Sequence, residues 1–166
     1  LTKTSPDPSA RRADLKKRTS SRLMFVQALY QSEHSEDSLH VLGKDFCEDP
    51  LKSFLVDEGI VADPAYFKKL LSVFEHDIHL FDERINGFLT LPWHFERLEP
   101  ILLSILRAGS AELFSMRDVP EQLIINEYVT LAHGFFHQKE PALVHTILDK
   151  MAHLFRHPHE TRNETP

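Results

Sequence analysis

Leu98-Glu-Pro-Ile-Leu-Leu-Ser-Ile-Leu-Arg-Ala-Gly-Ser-Ala-Glu-Leu-Phe-Ser-Met-Arg-Asp-Val-Pro-Glu-Gln-Leu-Ile-Ile-Asn-Glu-Tyr-Val-Thr-Leu-Ala-His-Gly-Phe135 reads as two consecutive helices joined by the turn Ser115 to Pro120. In the first, Leu98, Leu102, Ile105, Gly109, Leu113 and Met116 share one face, and Leu103, Leu106 and Phe114 line the next. A helix apolar over that much of its circumference belongs inside a bundle. In the second, Leu123, Ile124, Glu127, Tyr128, Leu131, Ala132 and Phe135 keep the spacing of three and four. Asp118 is a candidate N-cap, and Pro120 sits where a first-turn proline costs no hydrogen bond. Two charges interrupt the apolar pattern, Arg107 and Glu127. An antiparallel packing of the two helices pairs them across the seam as a structural ion pair, because arginine suits a buried bidentate carboxylate contact; isolated exposure of both is the other reading.

Working outward, 166 residues suffice for one domain with a full core. Five glycines and long stretches of period 3.6 give an all-α fold. The single cysteine, Cys47, excludes an intrachain disulfide and fits a reducing, cytoplasmic setting. No apolar run is long enough to span a membrane, so no membrane partner is expected. The net charge of −6 conceals an asymmetry. Residues 1–22 hold seven basic side chains against Asp7 and Asp14, and the remainder holds twelve against twenty-three acidic ones. A basic arm on an acidic body points to an anionic partner.

Residues 1–15 carry two prolines and no apolar periodicity, and read as a flexible basic leader. The first helix is predicted from about Lys16 to Glu33, with Leu23, Val26, Gln27, Leu29 and Tyr30 inward. Lys16, Lys17, Arg18 and Arg22 in its first turns oppose the helix dipole, a local cost that a phosphate-bearing partner would offset. Periodicity alone places Tyr30 in the core. A helix over Asp37 to Cys47 and a short one around Leu51 to Leu55 follow. Asp63-Pro64 opens the next helix, with a bend near His76-Asp77, and the Leu-Pro-Trp93 connection leads into the central pair. The last helix runs from about Pro141 to Phe155, with a disordered tail from residue 157.

Eleven histidines raise a metal reading, but neither His133/His137 nor His76/His79 sits in a ligand motif, and no cysteine pair completes a zinc set. No phosphate loop, nucleophile elbow or Ser/His/Asp arrangement is present, so neither a metal, a cofactor nor an enzymatic activity is expected.

Several pieces in register carry a family resemblance. Arg22-x-x-x-Val26-Gln27-Ala28-Leu29-Tyr30, then Ile105-Leu106-Arg107, Ala111-Glu112-Leu113, Asp118-Val119-Pro120, Ile125-Asn126-Glu127 and Leu148-Asp149-Lys150 resemble the bacterial NusB transcription antitermination factors. The resemblance covers residues 16 to about 152 and implies a single-domain bundle of about seven helices in two packed sub-bundles, here domain 16–156. It implies a non-catalytic factor that binds boxA-type single-stranded RNA with the ribosomal protein NusE, within the transcription elongation complex. Lys16, Lys17, Arg18 and Arg22 would contact phosphates, with Gln27 and Tyr30 beside the RNA path. The resemblance is that of a divergent member: Ala111 replaces a usual tyrosine, and Ala142 to Thr146 lack the aromatic that in the family adds an RNA contact. Two alternatives follow, a NusB-like protein-interaction module with weak or lost RNA binding and the N-terminal domain of a ribosomal RNA methyltransferase. Monomer and homodimer both stay open.

Overall fold

The computed structural model describes residues 7–48 and 62–158, and every regular element among them is helical. The helices are α1 (Pro8–Ser32), α2 (Leu39–Glu48), α3 (Pro64–Phe88), α4 (Pro100–Ser115), α5 (Glu121–Phe135) and α6 (Glu140–Arg156). That is six where the resemblance implied about seven; the short helix expected at Leu51 to Leu55 lies outside the described residues.

The first helix starts eight residues before the periodicity placed it. Asp7 caps it by accepting from the Ser9 backbone N–H, and Pro8 fills the first turn. Asp7-Pro8 is thus the same start signal as Asp63-Pro64, where Asp63 accepts from the N–H groups of Ala65 and Tyr66. An apolar stripe was absent at Asp7-Pro8 because nothing there packs: every residue from Asp7 to Lys17 is exposed. In α3 the expected bend is real, with Asp77 at φ −115° and ψ 16°. Asp118 does not cap α5; Pro120 occupies that position without a side-chain hydrogen bond.

Helices α1, α2 and α3 pack together, and α4, α5 and α6 form a second sub-bundle. Helix α4 joins them, packing against α1, α3, α5 and α6. Its buried run from Ser104 to Leu113 is unbroken, the reason its apolar residues wrap so much of its circumference. Gly109 lets α6 approach: a Cβ there would meet Leu148 Cδ1 at 2.6 Å. Edge-to-face contacts of Phe25 with Phe67 and Phe74, at 5.9 and 6.0 Å, fill the first sub-bundle. The Ser21 hydroxyl, fully buried, receives the Asp63 N–H at 2.8 Å and ties α1 to the start of α3.

The α4–α5 turn is held from α6. Arg156 donates to the carbonyls of Leu113, Met116 and Val119 at 2.7–3.0 Å, and Arg117 donates back to the Phe155 carbonyl at 2.6 Å. Arg156→Ala is expected to lower stability by roughly 1–3 kcal/mol, since three carbonyls, two at the end of α4 and one in the turn, lose a charged donor. Urea unfolding followed by circular dichroism measures it, and an unchanged midpoint would show that water replaces the guanidinium at no cost.

Candidate nucleic-acid interface

The basic run of α1 is a single block in sequence and three environments in space. Lys16 and Lys17 are exposed. Arg18 is half-buried, with its guanidinium carbon 5.3 Å from the Tyr66 ring centroid. Arg22 is only 1% exposed.

The expectation that Arg22 contacts phosphate is therefore corrected. Its Nε lies 2.9–3.0 Å from both carboxylate oxygens of Glu112, and its Nη2 lies 2.6 Å from Oε1. Its Nη1 donates to Glu127 Oε2 at 3.0 Å, and Nη2 faces the Tyr66 hydroxyl at 3.3 Å. Glu112, itself fully buried, also accepts from the hydroxyls of Tyr66 and Tyr128, the latter at 2.8 Å. Burial opposes the Arg22 charge, yet the hydrogen bonds and attraction of Glu112 outweigh it and hold the guanidinium protonated. Burial, then the Glu112 charge, pushes both tyrosine hydroxyls above their ordinary range. All of this ties α1 to α3, α4 and α5.

The pairing of Arg107 with Glu127 is corrected as well. Arg107 forks onto Asp82 of α3, with Nε and Nη2 each 2.8 Å from an oxygen, and Nη1 reaches Glu33 at the end of α1 at 2.7 Å. Burial opposes the Arg107 charge, and Asp82 and Glu33 more than restore it. Both arginines do form carboxylate pairs across helices, but with different partners. Arginine-to-carboxylate chemistry was legible in sequence; which carboxylate lies opposite depends on the relative rotation of the helices.

The 3.6-residue period puts Lys16, Leu23, Gln27 and Tyr30 on one side of α1, Lys17 roughly a quarter turn away and Arg18 on the far side. The first side leads into a groove of about 510 Å³ between α1, the start of α4 and the end of α5. Leu23, Val26 and Ile101 line it, with Gln27, Tyr30 and Phe135. Tyr30 is 38% exposed and stacks on His34 at 4.4 Å, so the core position that periodicity gave it is corrected. Phe135, read from its spacing as part of the inward stripe of α5, is 48% exposed at the last residue of that helix. The Gln27 side-chain oxygen is buried without a hydrogen-bond partner. Cations lead to a trough with two partly exposed aromatic rings and Glu99 at its rim, an arrangement that can hold a phosphate backbone and stack unpaired bases. Phe135 was missed because its spacing fits the buried stripe; only its place at the helix end separates it from Tyr128 and Ala132.

Other features contribute nothing comparable. His133 lies within α5 and His137 beyond its end at Phe135, so the two do not share a helix face. No helix among the described residues is long and apolar enough to cross a membrane.

Comparison with known proteins identifies the family and the fold. A sequence model of the NusB family matches residues 19–153. The transcription antitermination protein NusB of Sinorhizobium fredii is 34% identical over 157 residues, which cover 94% of this chain and 97% of that protein. Its namesake from Nitrobacter hamburgensis is 34% identical over 141 residues, 84% of this chain and 88% of the relative. A solved structure of T. maritima NusB superposes with a TM-score of 0.62 over 81% of this chain and 89% of that one, at 24% identity, and shares the fold.

Proposed function

The chain belongs to the NusB family, and from that premise we propose that it is a non-catalytic transcription antitermination factor binding single-stranded RNA of the boxA type beside α1. The ribosomal protein NusE is its partner on that RNA, in the bacterial cytoplasm. What carries this reading is the exposed cationic side of α1 running into the groove with Tyr30 and Phe135. Lys16 and Lys17 hold phosphates, and bases stack on the two rings. Arg18 contributes charge from the far side, while Arg22 holds the helix in place.

RNA titrations at several salt concentrations test it. Counterions released by the charges of Lys16, Lys17 and Arg18 give a slope of about −2 for the logarithm of affinity against the logarithm of salt. Lys16→Ala/Lys17→Ala flattens that slope by roughly 1.4, and Phe135→Ala weakens binding by about 5- to 150-fold, the range of one lost stacking contact. NusE added to wild type raises affinity by supplying a second surface to the same strand. Equal slopes for wild type and the lysine variant, with and without NusE, would remove α1 from the RNA surface. Binding to NusE with no RNA binding at all would instead favour the protein-interaction module.

A further inference from the structure

Glu127 stands where α5 meets the basic end of the RNA track. Its Oε2 accepts from the Thr19 hydroxyl at 2.6 Å and from Arg22 Nη1 at 3.0 Å. Its Oε1 accepts no hydrogen bond from any described residue, and the side chain is 27% exposed. Thr19 lies three residues after Lys16 and four before Leu23, so the three are surface neighbours along α1. A strand running from Lys16 toward Gln27 and Tyr30 passes this carboxylate. The positive charge of Arg22 is already matched by the bidentate contact with Glu112. Glu127 therefore leaves a surplus negative charge at the edge of a cationic track. A phosphate there is repelled, whereas a base edge bearing N–H donors is attracted.

We propose that Glu127 is a specificity-determining residue of the RNA surface: its free carboxylate oxygen accepts from the exocyclic amine of a nucleobase and disfavours uracil. Cytosine presents an amino donor that carboxylates accept from. Uracil turns two carbonyl oxygens toward the same carboxylate, one on each side of its ring N–H. The inference rests on the RNA-binding reading above, and the experiment separates the two.

Oligo(C) and oligo(U) of equal length remove the question of register, and the change in their ratio between wild type and variant cancels their difference in stacking. Wild type binds oligo(C) about 5- to 150-fold more tightly than oligo(U), the discrimination expected of one good base contact. Glu127→Gln keeps an oxygen for Thr19 and Arg22 but places an amide donor where the free oxygen was; the preference collapses to near one or reverses, and oligo(U) binds more tightly than to wild type. Lys16→Ala/Lys17→Ala weakens both oligomers equally and leaves the ratio intact. A thermal melt confirms that each variant is folded. Should Glu127→Gln fail to fold, Glu127→Asp retains the charge and draws the carboxylate back by one methylene, and it lowers the same ratio. A wild-type ratio in the folded glutamine variant, or in the aspartate variant used in its place, overturns the proposal and leaves the RNA reading standing. Equal binding of both oligomers by wild type overturns it too. Binding of neither oligomer by wild type overturns the proposal, and failure to bind boxA-type RNA as well overturns both.

Discussion

Arg22→Ala unfolds about 3–5 kcal/mol more easily than wild type, because the substitution strands a buried carboxylate. Glu112 is fully buried and receives three of its hydrogen-bonding contacts from that one guanidinium. The hydroxyls of Tyr66 and Tyr128 remain to it, but neither carries charge. Glu127 suffers less, since its partly exposed side chain rehydrates. Against a total stability of roughly 5–15 kcal/mol, such a loss leaves little margin. Lys16→Ala/Lys17→Ala, about one and a half turns earlier on the same helix, stays within about 0.5 kcal/mol of wild type because both side chains are solvated. A double variant, Arg22→Met/Glu112→Leu, recovers most of the loss by removing the stranded charge along with its partner. Urea unfolding of the four proteins measures these differences. A loss below 1 kcal/mol for Arg22→Ala would mean that water reaches Glu112.

Stability also collapses in alkali, and the buried tyrosines set the direction. Burial first, then the Glu112 charge, raises the Tyr66 and Tyr128 hydroxyls above their ordinary value near 10. Above that pH the unfolded chain releases protons that the folded protein keeps. The fold then binds more protons than the unfolded chain, and stability falls as pH rises. The contribution is fully present below pH about 10 and is lost progressively toward the higher folded values. The slope is about 1.4 kcal/mol per pH unit for each tyrosine. Unfolding free energies measured between pH 8 and 12 show the decline, and Tyr128→Phe removes roughly half of the slope while lowering stability at neutral pH. A decline of equal steepness in Tyr128→Phe would assign the alkaline loss to other groups.

The sequence by itself determined the helical class and most of the core, because periodicity and caps are local; the two sub-bundles were implied only by the family resemblance. Leu102, Ile105 and Leu113 repeat at helix spacing whatever lies opposite, and Asp63-Pro64 starts a helix by chemistry contained within one turn. The family resemblance was legible for the same reason: its motifs are short runs on single helices. Only the tertiary structure decided which charges face solvent. Lys16, Lys17, Arg18 and Arg22 look alike in a string, yet successive residues on a helix point about 100° apart. The packing of α1 on α3 and α4 sends Arg22 inward to Glu112 and leaves Lys16 and Lys17 in water. It likewise gave Arg107 to Asp82 and Glu127 to Thr19 and Arg22, pairings separated by 25 and by more than 100 positions in the chain. Tyr30 and Phe135 carry the same lesson. Their spacing marks an inward stripe, but an inward stripe is buried only where another helix covers it, and beside these two rings the packing leaves a groove.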